Sequence, residues 1–251
     1  MSHSHPCKVI EPADLQASYD AAINENPDNT NIATTGSRKK RGVATHSKFW
    51  ANQRTLKVAF LNPPSDTHRE AAIKAIMLWQ PSINLNLEFV SGSKGDIRIT
   101  MEAPLNYSAI GTDATLRGPG ENTMNIGTAP DHPWFEAAVL HEFGHALGME
   151  HEHQHPKANI PWNKPAVYEH YWTAFQWSKE EVDHNLFRLL ETATSRTTAY
   201  DPTSIMHYPI PNELTIGDWA VYKNTTISQN DRRLMRKAYP KPDQDINYHS
   251  A

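Results

Sequence analysis

The stretch HEFGHALGMEHEHQHP, from His141 to Pro156, holds five histidines and three glutamates among apolar residues. Val139, Phe143 and Leu147 recur at helical spacing in and just before it, which predicts a helix that packs one face into a core. Gly148 predicts the end of that helix, since glycine readily adopts positive φ. The stretch is therefore predicted to be a buried helix followed by a turn, with titratable side chains on both.

The spacing of the first three histidines predicts a catalytic zinc site. His141 and His145 lie one helical turn apart, about 40° around the axis, so both imidazoles can reach one ion. A turn at Gly148 brings His151 back as a third ligand, and three protein ligands leave a position open for water, as in catalytic sites. Glu142 is adjacent and suited to accept a proton from water. The alternative is a helix with solvated histidines, but HExxHxxGxxH is filled at all five specified positions, which favours Zn²⁺.

A second motif, SIMHY from Ser204 to Tyr208, joins this pattern in a resemblance to the astacin family of metzincin zinc metallopeptidases. The resemblance implies a zinc-dependent endopeptidase in which Glu142 is the general base and Tyr208 is a displaceable ligand that stabilises the oxyanion. It makes Met206 the hydrophobic floor of a Met-turn. It also implies that Glu152 contacts the amino group of a processed N-terminus.

The resemblance further implies an edge strand that binds an extended peptide substrate in antiparallel fashion. Its residues here are Asn122, Thr123, Met124, Asn125 and Ile126. Backbone hydrogen bonds would carry most of that recognition.

The order of the predicted elements indicates a mixed α/β (α+β) fold. TLKVAFLN, NLNLEFV and GDIRITM read as strands, and REAAIKAIMLWQ and WFEAAVLHEFGHAL as two long helices. We expect a two-lobed, metzincin-like catalytic domain over 47–240, with a mixed twisted sheet in 47–151, an irregular lobe in 152–240 and zinc in the cleft between them. That second lobe is predicted to contain a helix from Ser178 to Leu190 and a terminal helix after Ser228.

The flanking segments differ in composition from this domain. Residues 1–46 are polar and turn-rich, and are interpreted as a tail or pro-segment outside the core, and 241–251 as a C-terminal tail. The basic run RKKR at 38–41 suggests cleavage after Arg41. Cys7 could occupy the open zinc position as a latency ligand, although an inert thiol in a mobile tail is the simpler interpretation. His153 and His155 are expected on the surface or behind the metal ligands, and His207 in a structural hydrogen bond.

Composition narrows the remaining possibilities. A formal charge of −4 gives no reason to expect nucleic acid or an anionic membrane as partner. The single cysteine rules out an intrachain disulfide, so the chain resembles a disulfide-free microbial relative. No secretory signal or membrane span is visible, so a cytoplasmic or non-classically secreted protein is expected. It is also expected to be a monomer. A catalytically silent zinc-stabilised binding module and a zinc hydrolase of a non-peptide substrate remain open as alternatives.

Overall fold

The computed structural model describes residues 7–30, 46–63, 65–102, 104–190 and 199–242. The strands are β1 (Lys8–Ile10), β2 (Thr55–Asn62), β3 (Asn86–Val90), β4 (Ile97–Thr100), β5 (Tyr107–Ala109) and β6 (Met124–Asn125). The α-helices are α1 (Leu15–Glu25), α2 (Asp66–Met77), α3 (Phe135–Ala146), α4 (Lys164–Phe175), α5 (Lys179–Val182) and α6 (Gln229–Ala238).

Six strands form one mixed sheet in the order β1-β5-β6-β4-β2-β3. The strands β3, β2, β4 and β6 are parallel, β5 is antiparallel to β6, and β1 pairs in parallel with β5. Helices α2 and α3 pack against each other, and α3 contacts β5 and β6. The mixed sheet with two long helices confirms the predicted first lobe.

Two separate hydrophobic cores support the two lobes. The larger core joins the sheet, α2 and α3 to the terminal helix α6, whose Met235 is fully buried in it. The smaller core is built from α4, α5 and the segments around Ile210 and Val221. Met206 belongs to the larger core and Tyr208 to the smaller one. The SIMHY motif therefore links the two lobes, and the predicted two-lobed architecture is confirmed.

The interpretation of residues 1–46 as lying outside the core is wrong for residues 7–30. Strand β1 is part of the sheet, and α1 buries Ser18 and Ala22. Asn29 is fully buried, and its side chain hydrogen-bonds the backbone N–H and C=O of Phe49. Polar residues hide this packing from the sequence, because small or hydrogen-bonded polar side chains can be buried at little cost. Residues 31–45 and 243–251 lie outside the described residues, and the domain limits stay predictions.

The second lobe contains more helix than the sequence predicted. Helix α4 was missed, although Asn163 caps it with Pro165 in its first turn. The helix predicted from Ser178 to Leu190 ends early, since α5 passes into a π turn at Asp183–Phe187. In the described ranges, every helix is too short or too polar to cross a membrane.

Candidate metal centre and active-site cleft

Helix α3 presents two histidines to the cleft with their orientation fixed. The Nδ1 atom of His141 lies 2.7 Å from the carbonyl oxygen of Ile205, and Nδ1 of His145 lies 2.8 Å from that of Met149. Because a carbonyl oxygen only accepts, each Nδ1 carries the proton and donates. Each Nε2 is therefore left with a free lone pair, as a metal ligand requires.

The turn after α3 brings the third histidine to the same point. Gly148 has φ of 99°, and its N–H donates to the carbonyl of His145 at 2.8 Å. The chain then doubles back, so that Nε2 of His151 lies 3.1 Å from Nε2 of His145. A side chain at position 148 would also collide with the ring of Phe49. The turn therefore needs glycine for both conformation and space.

The three histidines and Cys7 fit a tetrahedral zinc site. One ligand atom from each of the four lies within 4.8 Å of the others, which suits bonds of about 2.0–2.3 Å to a common ion. Nε2 of His141 is buried and has no hydrogen-bond partner among the described residues, as expected of an atom reserved for a ligand. Burial lowers the pKa of His141 to about 4 and that of His145 and His151 well below the usual range. All three imidazoles are thus in the neutral, metal-binding form.

Glu142 faces the same space without belonging to the metal group. Its side chain is 1% exposed, and burial raises its pKa to about 8. The thiol of Cys7 donates to its Oε2 atom at 3.2 Å. The carboxylate is therefore within hydrogen-bond distance of an atom that faces the three histidines.

Tyr208 completes the ring of groups around this space. Its phenol packs edge-on against His151, with ring centroids 4.5 Å apart, and face-on against His153, with centroids 4.3 Å apart. Its hydroxyl donates to the backbone carbonyl of Cys7. The Tyr208 hydroxyl is thus already bonded to a peptide carbonyl in the cleft.

The terminal helix α6 fixes the Met-turn through hydrogen bonds. Asp231, in the first turn of α6, accepts hydrogen bonds from Ser204 Oγ at 2.6 Å and the Ile205 N–H at 2.9 Å. Met206 packs beneath α3 so closely that a Cβ on Gly144 would collide with its sulfur. The sequence indicated the Met-turn but not Asp231, whose only signal is its place three residues after the Ser228 cap.

The remaining predicted site residues fall in three groups. His153 and His155 are buried, which excludes the surface alternative, and neither belongs to the metal group. The ring centroid of His153 lies 5.2 Å from that of His151, so His153 is placed behind the metal ligands. His207 makes the expected structural hydrogen bond, 2.8 Å from the Tyr200 hydroxyl. Glu152 accepts from the Asp201 N–H at 2.8 Å. Its role as an anchor for a processed N-terminus stays a prediction.

The predicted edge strand is an interior strand. Asn122–Ile126 surrounds β6, whose residues pair with β4 on one side and β5 on the other. The N–H groups of Thr123 and Ile126 bond to Arg98 and Thr100, so this backbone has no free edge for a peptide. The edge of the sheet beside the metal group is the outer side of β5, and β1 covers it. The sequence placed the edge one strand too far inward.

A cavity of about 580 Å³ opens beside His141 and Glu142. Its walls are mainly apolar and aromatic: Trp134, Tyr171, Phe175, Ile210, Leu214 and Val221. Lys223 also lines it, with its ammonium 4.7 Å from the centre of the Trp134 ring. In the part of the chain that the structure describes, no carboxylate forms an ion pair with Lys223.

Comparison with known proteins agrees with this geometry. Residues 42–232 match the family model of the Astacin peptidases. The chain belongs to the astacin family. It is 27% identical over 171 residues to zinc metalloproteinase nas-36 of Brugia malayi, which covers 67% of this chain and 26% of nas-36. The chain thus spans about a quarter of the length of that curated relative.

Solved structures similar to this astacin-family chain include a structure of myroilysin. It matches with a TM-score of 0.74 at 36% identity, covering 78% of this chain and 97% of that one. High choriolytic enzyme 1 (HCE-1), a hatching enzyme zinc-protease from Oryzias latipes, matches with a TM-score of 0.53 at 16% identity, covering 80% and 97%. The second match supports the fold alone. Family and relatives together identify the matched region as a zinc metalloendopeptidase domain.

Proposed function

We propose that the chain hydrolyses internal peptide bonds of an extended peptide or protein, and that the described structure is its latent form. The observation that carries the proposal is the position of Cys7. Its sulfur faces the three histidines and bonds to Glu142, while its carbonyl accepts from Tyr208. A single residue of the chain thus occupies the contacts that a reacting water and a scissile carbonyl would need.

Glu142 is the proton carrier in this proposal. When bound, zinc supplies Lewis acidity, which lowers the pKa of water and polarises a carbonyl. Glu142 takes the proton of the attacking water and passes it to the leaving amine. In the described form, with Cys7 in the cleft, burial raises the pKa of this carboxyl to about 8.

Tyr208 is the hydrogen-bond donor to the reacting carbonyl, beside the Lewis acidity that zinc supplies. Its hydroxyl now donates to the Cys7 carbonyl. We expect it to donate to the substrate oxygen once that segment has left. A donor already aimed at a carbonyl position stabilises the charge that develops there without further reorganisation.

The substrate is proposed to lie along β5. Residues Tyr107–Ala109 expose their outer edge as soon as β1 leaves, and an extended peptide can add there as a strand. Strand β1 runs parallel to β5, opposite to the direction implied for a substrate. Because β1 runs in the opposite direction to a substrate, it can fill the cleft without placing its own peptide bond in position for attack.

The cavity beside Glu142 is proposed to receive one substrate side chain. Its aromatic walls suit a large side chain. The half-buried Lys223 shares this lining with the carboxyl groups of Glu142 and Glu213, so the cavity carries groups of both signs. We therefore expect the size of the side chain, rather than its charge, to decide which residue fits there.

Cys7 is proposed to keep the chain latent. Burial in the cleft, and then the neighbouring Glu142 carboxylate, raise the pKa of the free thiol well above its usual range. Coordination to zinc would reverse this preference, because a coordinating thiol loses its proton. Glu142 is the adjacent acceptor for that proton. The interpretation of Cys7 as an inert thiol in a mobile tail does not fit this position.

A peptidase assay tests the proposal. The zinc-loaded chain, intact or nicked by trypsin at the RKKR run, is given a quenched peptide library with and without a chelator. We expect chelator-sensitive cleavage within peptides that is stronger after nicking. Zinc binding without any turnover would instead favour a silent binding module. Turnover of esters or amides but no peptide would favour a hydrolase of a different class.

A further inference from the structure

The face of the Tyr208 ring rests on a histidine that has no part in the metal group. The rings of His153 and Tyr208 are stacked, with centroids 4.3 Å apart and planes inclined by 28°. His151 meets the same phenol at 66°. A metal ligand thus bounds one side of the ring and His153 covers a face, so its freedom to tilt is restricted.

His153 is itself held rigidly. Its Nε2 lies 2.8 Å from the carbonyl of Asn185, to which it donates, because the carbonyl can only accept. Gln154 ties the same turn to the neighbouring segment, since its side chain donates to His184 O at 2.9 Å and its carbonyl accepts from Leu190 N–H at 2.8 Å. The stacking surface is therefore part of the fixed second lobe.

Packing alone gives a poor reason for an imidazole here. His153 is fully buried, and its Nδ1 atom has no hydrogen-bond partner among the described residues. A buried polar atom without a partner is costly, and the hydrogen bond to Asn185 uses only the other ring nitrogen. That hydrogen bond accounts for one ring nitrogen, and the remaining feature of the ring is the face that stacks on Tyr208.

We propose that His153 is a positioning residue, whose ring face keeps the Tyr208 phenol in the plane from which its hydroxyl reaches the reacting carbonyl. The proposal rests on the role of Tyr208 in the proposed function. When the Cys7 carbonyl leaves, the hydroxyl loses its present acceptor. The stack with His153 and the edge contact with His151 then still orient the ring, so the hydroxyl remains aimed into the cleft.

The test is a double-mutant cycle on the trypsin-nicked, zinc-loaded chain. His153→Leu removes the flat ring at similar volume, and we expect kcat to fall about threefold to tenfold, the scale of one aromatic contact, with KM nearly unchanged. His153→Phe restores a flat ring and should recover most of kcat. In a Tyr208→Phe background there is no hydroxyl to orient, so the His153→Leu effect should shrink to less than about twofold.

Several results would overturn the inference. An equal loss in both backgrounds would show that His153 acts through folding or through the neighbouring ligand His151, and zinc content is measured for every chain to check this. An effect on KM alone would contradict it as well. His155→Leu is the matched control, since it removes another buried histidine of the same segment whose ring lies near Tyr200 instead. If His153→Leu does not fold, His153→Gln replaces it.

Failure of the proposed function gives a different pattern. Full kcat in Tyr208→Phe would remove the catalytic role of Tyr208, and this inference with it. A clear loss in Tyr208→Phe with no coupling to His153 would overturn the inference alone. A parent chain without any peptide turnover would contradict both.

Discussion

Helix α3 and strand β1 reach the same metal position in different ways. The helix carries His141, Glu142 and His145 within five residues, so its own hydrogen bonds fix their relative placement. Strand β1 has three residues and follows Cys7, which is 135 positions away from Glu142 in the chain. The difference separates permanent from removable groups: a helix buried in a core cannot leave the site, whereas a short edge strand can.

The largest loss of activity is expected from a change in helix α3, which stays in the site. We expect Glu142→Gln to keep zinc but to lower kcat by about 10³-fold, because the proton carrier is lost while the ligands stay in place. Peptidase assays on the nicked chain measure kcat, and metal analysis measures the zinc content. Glu136→Gln, an exposed glutamate on the same helix, is the control and should keep full activity. Proteolysis retained by Glu142→Gln would refute its assignment.

Tyr208 is intermediate between helix α3 and strand β1, since it lies on a loop but is packed between both lobes. Tyr208→Phe should lower kcat by about ten- to a hundredfold and leave KM almost unchanged, because one donor to the oxyanion is lost while the metal remains. Steady-state kinetics on the nicked chain check this. A larger effect on KM than on kcat would show that the hydroxyl binds ground-state substrate instead.

Removal of the Cys7 sulfur should weaken the closed state, in which the segment with β1 covers the metal site. Cys7→Ser replaces a soft thiolate by a poorer ligand, and a loss of about 1.4 kcal/mol from the closed state would raise the open fraction, and the activity of the intact chain, about tenfold. Cobalt-substituted chains give a second measurement, since only the parent should show sulfur-to-metal absorption. Intact parent and variant chains with equal activity and equal spectra would dismiss latency through Cys7.

The smallest effect should come from the anchor of α1. Ser18 Oγ donates to the buried carboxylate of Asp113 at 2.5 Å, and Lys48 pairs with the same carboxylate at 2.6 Å. Ser18→Ala should weaken the packing of residues 7–30 against the rest of the domain by about 1 kcal/mol. This corresponds to about fivefold more activity of the intact chain. Hydrogen exchange in residues 7–30 should rise in parallel. Gln16→Ala, an exposed change in α1, should leave both unchanged, and a rise of the same size there would contradict the anchor.

The sequence predicted those parts of the fold in which apolar residues recur at the spacing of a strand or a helix. Strand β2 was predicted at its observed limits, and α3 and its turn at Gly148 follow from apolar spacing and glycine. Helix α4 was missed, because its aromatic and polar composition gives no clear apolar stripe. The position of β6 inside the sheet could not be predicted, since strand order depends on pairings between distant segments.

The sequence by itself determined which side chains could hold zinc, because residues four apart on a helix share a face and Gly148 permits the turn that returns His151. It also indicated the Met-turn from its own five residues. Only the tertiary structure decided what Cys7 does, which edge of the sheet is covered and which ring supports Tyr208. Each of these depends on contacts between residues far apart in the chain, or on loops that fold against each other, and no local pattern of residues encodes such contacts.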